Sequence, residues 1–329
     1  MKYVLAAAGA AALSLLVLFF GYGWSQGHDP VRALGNSLTP HPDPVESNPD
    51  LPVIAKHRVS WLGDIESREL QESSGLTASI RHEDVLWSMN DSGGEAELFA
   101  MSLTGKHLAT VSIATEKPID WESLDAFEYE GKSYVAIADV GDNFGWRSSV
   151  RVLVVPEPEL IESGDVDVAW TIEFTYPDGP RDSEAIAVDA ACERILVLSK
   201  REYPQKLYEV PLIENDPEPT QAKLLDTLPG LPQPSVADYE EEPDTAQYRH
   251  MPSGMDYDPK TDQLLLTTYK HAFLYSLREL KKGPTLIPMP KVGQREAITW
   301  TGSNTAVVSR ERKGGVGASD LFQIEIIRH

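Results

Sequence analysis

Acidic side chains recur at two fixed positions of a short motif that the sequence repeats. The motif consists of Glu or Ser, then a small residue, then an aliphatic residue. Three copies begin with glutamate, namely Glu122, Glu184 and Glu296. Three copies are preceded, two positions earlier, by an acidic residue, namely Glu72, Asp120 and Asp182. Because residues two apart on a β-strand point to the same side, we expect these carboxylates to face a common space.

Carboxylates that converge on one small space repel each other unless a cation or bound protons compensate their charge. A hard ion that prefers oxygen ligands, such as Ca²⁺, is the natural partner of such a cluster. Further oxygen ligands could come from four polar residues, namely Asn90, Asp91, Asp142 and Asn143. The sequence therefore predicts a divalent cation site, with Ca²⁺ as the cofactor, formed by these ten residues.

Other interpretations of the same residues stay open. The carboxylates could accept hydrogen bonds from backbone amides of neighbouring strands and from Arg295, or they could lie solvated in a wet channel. Residues 90–93 and 141–143 are also typical of turns, because Asn, Asp, Ser and Gly favour turn geometry. None of these interpretations requires a bound ion.

Signatures of catalysis are sparse. The sequence has no Gly-x-Ser-x-Gly motif and no paired-Cys or His-rich zinc spacing. If the protein is an enzyme, metal-assisted hydrolysis is the simplest mechanism, with Glu122 or Glu184 as the base that activates water. Trp121 and Trp146 stand beside the polar motifs and are candidates for stacking on a ligand.

Five copies of the motif are each followed by two further apolar segments, at the spacing of successive short strands. The copies are Ser74-Gly75-Leu76, Glu122-Ser123-Leu124, Glu184-Ala185-Ile186, Ser253-Gly254-Met255 and Glu296-Ala297-Ile298. No long segment has apolar residues at helical spacing, and the small residues suit inner strands packed beside their neighbours' backbones. The sequence therefore predicts an all-β fold, a five-bladed β-propeller, with six blades as the alternative.

The last blade has a predicted closing strand at the other end of the chain. The fifth unit has only three strands before His329, whereas residues 58–62 read as a strand that precedes the first unit. An N-terminal strand that completes the last blade removes an exposed sheet edge. We therefore expect this strand to close the ring.

The N-terminal residues predict export. Residues 1–24 contain Lys2 and an uncharged apolar run long enough to cross a bilayer, and form a signal anchor or a cleaved signal peptide. Residues 25–55 are a proline-rich linker and residues 56–329 are the propeller. Both alternatives place the propeller outside the cytoplasm, in the periplasm or at the cell surface. It would be anchored to the inner membrane by an N-terminal helix, or secreted after cleavage.

The net charge limits the possible partners. The formal charge of −22 argues against nucleic acid, because phosphate binding needs a basic face. The expected partners are the membrane, through the N-terminal helix, and a small-molecule or surface ligand that the sequence leaves unidentified.

Several motifs occur in a fixed order. They are Asn90-Asp91-Ser92-Gly93-Gly94, Asp120-Trp121-Glu122, Gly141-Asp142-Asn143, Val155-Pro156-Glu157-Pro158, Asp182-Ser183-Glu184-Ala185 and Gln294-Arg295-Glu296-Ala297. This order resembles a family of exported bacterial β-propellers described as esterase-like, phytase-like or SdiA-regulated-like. The resemblance covers about residues 70–325. It implies a propeller and little about substrate.

Two functions follow as expectations. The first is an extracytoplasmic propeller that binds a ligand and Ca²⁺ at the mouth of its central channel. The second is a Ca²⁺-dependent hydrolase of phosphoesters, esters or lactones. The lack of a convincing nucleophile favours the first, and the clustered carboxylates favour the second.

Overall fold

The computed structural model describes residues 43–327, except 92–93, 215–217, 292 and 312–318. Residues 1–24, the predicted signal segment, lie outside the described residues, as does the first part of the predicted linker. Within the described part of the chain, no helix is long and apolar enough to span a bilayer.

The first two sheets each contain five strands. In order from the inner strand, the first sheet contains β2 (Ser73–Ala78), β3 (Val85–Asn90), β4 (Glu97–Ser102), β5 (His107–Ala114) and β9 (Gly164–Asp167). The second contains β6 (Trp121–Tyr129), β7 (Lys132–Asp139), β8 (Val150–Pro156), β10 (Trp170–Thr175) and β14 (Thr220–Gln221). The short strands β9 and β14 pair in parallel with β5 and β10. Since each comes from a connection of the next blade along the chain, they link neighbouring blades at their outer edges.

The other three sheets each contain four strands. The third contains β11 (Ser183–Asp189), β12 (Arg194–Ser199), β13 (Gln205–Pro211) and β15 (Lys223–Leu228). The fourth contains β16 (Pro252–Asp258), β17 (Gln263–Thr268), β18 (Ala272–Ser276) and β19 (Thr285–Ile287). The fifth contains β20 (Gln294–Gly302), β21 (Thr305–Glu311), β22 (Asp320–Ile326) and β1 (His57–Asp64).

The ring closes through the N-terminal strand. β1 pairs antiparallel with β22, with Val59 opposite Ile324 and Ser60 opposite Gln323. The inner strands β2, β6, β11, β16 and β20 contact each other in that cyclic order. The predicted five-bladed propeller and its closing strand are therefore confirmed, and the six-bladed alternative is not adopted.

Apolar clusters fill the gaps between neighbouring blades. Trp87 of β3 and Val135 of β7 share one cluster, and Leu196 of β12 and Leu264 of β17 share another. These four side chains are completely buried. Burial of such a side chain contributes about 1.5–3 kcal/mol, so the interblade clusters fix the inner strands relative to each other.

Among residues 43–327 with the gaps given above, the helical segments are short. The α-helix α1 (Val236–Glu241) lies in the insertion between β15 and β16, and Ser235 and Asp238 form a capping box at its N-terminus. 3₁₀ turns span Ala190–Cys192, Ala246–Tyr248 and Leu280–Lys282.

The described part of the linker packs on the propeller. Val45 forms a bridge with Ser235, and Val53 forms one with Leu286 of β19. The Asn48 side-chain amide donates to the Gln233 carbonyl oxygen (2.8 Å), and its Oδ1 accepts from the Gln233 amide (2.7 Å). Residues 43–55 therefore run along the third and fourth blades before β1 enters the fifth.

Candidate functional site

A β-bulge lies at the repeated motif in all five inner strands. The pairing of each inner strand with its neighbour shifts register at the first residue of the motif. The residues left out of the pairing are Ser74, Glu122, Glu184, Ser253 and Glu296. A bulge bends a strand and changes the direction of its side chain, and bulges are frequent next to functional sites. The acidic residues two positions before the motif, such as Asp120, lie just before the strands begin. The direction of their side chains is therefore set by the bulges and loops, and not by the alternation of side chains along a strand.

Four of the five bulge residues line one cavity at the start of the inner strands. The cavity has a volume of about 230 Å³ and is lined by Glu72, Ser74, Asp91, Glu122, Asn143, Glu184, Lys200, Tyr269, Gln294 and Glu296. The fifth, Ser253, donates its hydroxyl to the Arg295 carbonyl oxygen (2.7 Å). The structure thus brings six of the ten predicted site residues to one cavity.

A larger cavity of about 470 Å³ lies between the third and fourth blades, lined by Cys192, Tyr257 and Arg278 among others. It contains none of the predicted site residues, and its acidic and basic side chains are mixed. The smaller cavity therefore carries the chemistry that the sequence indicates.

Two carboxylate triplets meet at Glu122. The carboxylate oxygens of Asp91, Asp120 and Glu122 lie within 4.8 Å of one another, and so do those of Glu122, Asp182 and Glu184. Oxygen ligands at these separations suit a hard cation such as Ca²⁺. Asp120 and Asp182, which do not line the cavity, are therefore brought to the site through these triplets.

Burial and mutual repulsion shift the titration of the carboxylates. Burial raises the pKa of Asp120 to about 7, and the negative charges of Asp91 and Asp182 add to this effect. Burial also raises the pKa of Glu122 well above its usual range, together with the charge of Asp91. Because both shifts favour the protonated forms, protons compensate part of the negative charge when no cation is bound.

Two basic residues contact the second triplet. Lys200 Nζ contacts Glu184 Oε1, and it also lies 3.4 Å from the Tyr269 hydroxyl oxygen. Arg201 Nε lies 2.5 Å from Asp182 Oδ2. Burial, followed by the charge of Glu296, raises the pKa of the Tyr269 phenol, so this group is a neutral donor at the cavity wall.

Asp142 fixes a loop. Its Oδ1 accepts from the Trp146 amide (2.9 Å), its Oδ2 accepts from the Arg147 amide (2.9 Å), and its own amide donates to Asp182 Oδ1 (3.0 Å). The Asp142 side chain therefore acts as a turn residue, as the turn interpretation of residues 141–143 expects. Asn143, the next residue, lines the cavity and accepts a hydrogen bond from Arg201.

The same loop places a glycine behind the carboxylates. A Cβ atom on Gly141 would lie 2.4 Å from Asp120 Oδ2 and 2.7 Å from Glu122 Oε1. Arg147 holds the loop, since its guanidinium donates to the Gly141 carbonyl oxygen (2.7 Å) and lies 3.0 Å from Asp139 Oδ1. The packing at this point therefore requires glycine.

Asn90 fixes the segment before β2. Its Oδ1 accepts from the Gln71 amide (2.9 Å) and the Glu72 amide (3.2 Å), and its Nδ2 donates to the Glu69 carbonyl oxygen (2.8 Å). Its amide is thus directed at the backbone and positions Glu72, which lines the cavity.

Within the described part of the chain, Arg295 donates to backbone carbonyl oxygens and not to the carboxylates that the hydrogen-bonding interpretation expects. Its guanidinium donates to the carbonyl oxygens of Tyr269 (2.8 Å) and Lys270 (2.9 Å), and to that of Pro290. Bonding of carboxylates to backbone amides does occur, both at the site and along the inner strand. Asp182 Oδ1 accepts from the Asp142 amide (3.0 Å), and Asp125 Oδ2 of β6 accepts from the Val188 amide (2.6 Å).

Sequence reasoning missed Lys200, Tyr269 and Gln294. A signal for two of them exists, because Asp91, Lys200 and Tyr269 are each the first residue after the second strand of a blade. They occupy one equivalent position of the repeat, just as the motif residues do. Comparison of the strand ends across the five units would have identified them.

Comparisons with known proteins support no finer classification. Neither a family model nor a curated protein matches the chain. Among solved structures, the PQQ-bound aldose sugar dehydrogenase from Streptomyces coelicolor is similar with a TM-score of 0.46 and 12% identity, covering 84% of this chain and 100% of that one. A luciferin-regenerating enzyme has a TM-score of 0.41 and 9% identity, covering 82% of this chain and 95% of that one. A nidogen/laminin complex has a TM-score of 0.42 and 12% identity, covering 73% of this chain and 76% of that one. At these values the chemistry of those proteins does not transfer to this chain.

Proposed function

We propose that the protein is an extracytoplasmic β-propeller that binds Ca²⁺ at the mouth of its central channel and, with it, a small-molecule or surface ligand. The observation that carries the proposal is the pair of carboxylate triplets that share Glu122. Carboxylate oxygens are the ligands that Ca²⁺ prefers, and its flexible coordination suits groups delivered by separate blades. Mg²⁺ demands a more regular octahedral arrangement and retains more water.

The charge balance of the site supports a bound cation. Seven carboxylates line the cavity or belong to the triplets, namely Glu72, Asp91, Asp120, Glu122, Asp182, Glu184 and Glu296. Among the described residues, Lys200 contacts Glu184 and Arg201 contacts Asp182. A divalent ion would replace the protons that burial favours on Asp120 and Glu122, so we expect cation binding to strengthen as pH rises.

The extracytoplasmic part of the proposal is supported by sequence alone. The apolar run within residues 1–24 and the resemblance to exported esterase-like, phytase-like or SdiA-regulated-like propellers favour it. The acidic net charge of −22 is compatible with a protein that stays soluble outside the cytoplasm.

Calorimetric unfolding tests the cation site. An ion at about 100 times its dissociation constant should stabilise the fold by about 2.7 kcal/mol, which raises the melting temperature by several degrees. The shift between EDTA and Ca²⁺ should be lost in Glu122→Gln. It should persist in Glu128→Gln, a matched control at an exposed position of the same strand. No shift in the wild-type protein would contradict the proposal.

A second function, Ca²⁺-dependent hydrolysis of phosphoesters, esters or lactones, is favoured by the clustering of carboxylates around one cavity. A bound ion would polarise the substrate oxygen, and one of the cavity carboxylates would act as base on water. The sequence predicts Glu122 or Glu184 as the base that activates water. The contact of Glu184 with Lys200 opposes that role for Glu184. Turnover of nitrophenyl esters, nitrophenyl phosphate or a lactone should disappear with EDTA, return with Ca²⁺ and be absent in Asp120→Asn. No turnover in the presence of Ca²⁺ would leave the binding function.

A further inference from the structure

We infer that Lys200 is a built-in cation that neutralises Glu184 in the triplet of Glu122, Asp182 and Glu184, so that the propeller binds one divalent ion, at Asp91, Asp120 and Glu122. This inference rests on the proposed function. It assigns the ion to one of two geometrically similar triplets and makes Lys200 the residue that determines how many ions bind.

Lys200 contacts the second triplet at Glu184. Its side chain is only 7% exposed, its Nζ contacts Glu184 Oε1, and its backbone amide donates to the Asp182 carbonyl oxygen (3.0 Å). The Nζ also lies 5.8 Å from the centre of the Tyr269 ring, at a distance suited to a cation–π contact. The ammonium group is therefore held by Glu184 and Tyr269 rather than moving in solvent.

Asp182 is bonded as well. Its Oδ2 lies 2.5 Å from Arg201 Nε, and its Oδ1 accepts from the Asp142 amide (3.0 Å). A divalent ion entering this triplet would have to displace Lys200 from Glu184 and compete with Arg201 for Asp182. Since a buried charge that loses its partner is costly, both exchanges oppose binding there.

The first triplet has a different environment. Among the described residues, no lysine or arginine nitrogen lies within ion-pair distance of the carboxylates of Asp120 or Glu122. Gly141 lies against these two carboxylates and allows only a hydrogen atom at that position. A divalent ion can therefore compensate Asp120 and Glu122 without displacing a side-chain cation.

Loss of the Lys200 charge should open the second triplet, because Arg201, whose side chain is 33% exposed, can turn into solvent and release Asp182. Glu122 belongs to both triplets, so its two oxygens can bridge two ions in the way that a carboxylate bridges paired metals. Lys200→Met keeps the length of the side chain and removes the ammonium group. Lys200→Arg keeps a cation and is the matched control.

Isothermal titration of the purified full-length protein with CaCl₂, at pH 8 after removal of metal, counts the ions. We expect one Ca²⁺ per chain for the wild type and for Lys200→Arg, and two for Lys200→Met. If Lys200→Met does not fold, Lys200→Gln, which keeps a polar end without the charge, should also bind two.

The outcomes separate this inference from the proposed function. One ion per chain in both the wild type and the neutral variants, or two in the wild type, would overturn the role of Lys200 and leave the cation site intact. No Ca²⁺ bound by any variant would overturn the cation site and this inference with it.

Discussion

Asp120 should make the cation-free protein less stable as pH rises. Burial raises its pKa from the ordinary value of 3.8 to about 7, so between these two values the folded protein binds a proton that the unfolded chain has released. Stability falls with rising pH wherever the folded state binds more protons. The loss begins above the unfolded pKa and is complete above the folded pKa. Three pKa units at about 1.4 kcal/mol each give an upper limit of about 4 kcal/mol for this one group.

Asp120→Asn removes the ionisation and should therefore stabilise the protein at high pH. With EDTA present, we expect the free energy of unfolding of the variant to be about 1–4 kcal/mol higher than that of the wild type at pH 8. At pH 4 the two free energies should differ little. The free energy of unfolding is measured in urea at both pH values. Asp165→Asn, the same change at an exposed position of the outer strand β9, is the control and should show no such pH dependence.

Addition of Ca²⁺ at pH 8 should make the wild type more stable than Asp120→Asn, because the wild type gains an ion-bound state that the variant lacks. In EDTA, the difference in free energy of unfolding between Asp120→Asn and the wild type should be larger at pH 8 than at pH 4. An equal difference at the two pH values would contradict the prediction. That result would mean that the Asp120 carboxylate is already compensated in the folded protein.

Two further predictions concern the loop behind the carboxylates. Gly141→Ala should destabilise the fold by about 1–3 kcal/mol and abolish the Ca²⁺-dependent shift in melting temperature, because its Cβ would lie 2.4 Å from an Asp120 oxygen. Gly164→Ala, which meets nothing within 4 Å, is the control, and equal melting temperatures for the two variants would contradict the packing argument. Arg147→Met should lower the free energy of unfolding in denaturant by about 3 kcal/mol, because it leaves the fully buried Asp139 with Arg151 as its one ionic partner among the described residues. An unchanged denaturation midpoint would show that Arg151 alone compensates Asp139.

The fold could be predicted because its determinants are local and repeated. The motif that begins at Ser74 or Glu122 recurs in every blade, and the structure explains it as a bulge followed by a small residue beside the neighbouring strand. The closing strand was also predictable, since a fifth unit lacking a strand leaves an edge that β1 covers. The packing of Val45 and Val53 on the propeller was missed, because a proline-rich segment carries no periodic pattern.

The candidate site could be predicted only in part. Glu122 and Glu184 were found through their repeat position, whereas Lys200 was missed because it lies just after the second strand of its blade, outside the repeated motif. Asn90 and Asp142 were predicted as ion ligands, but their sequence pattern is ambiguous. Short polar segments of this kind can bind an ion or bond to backbone amides. The sequence does not state which neighbours the side chains meet, and the structure directs both of them to backbone amides.

The cation site can be seen in a crystal structure of the full-length protein grown with Ca²⁺. We expect one ion about 2.3–2.6 Å from carboxylate oxygens of Asp91, Asp120 and Glu122, with Lys200 still in contact with Glu184. Crystals that contain Ca²⁺ but show no ion at these carboxylates, or show it only at exposed acidic side chains, would contradict it.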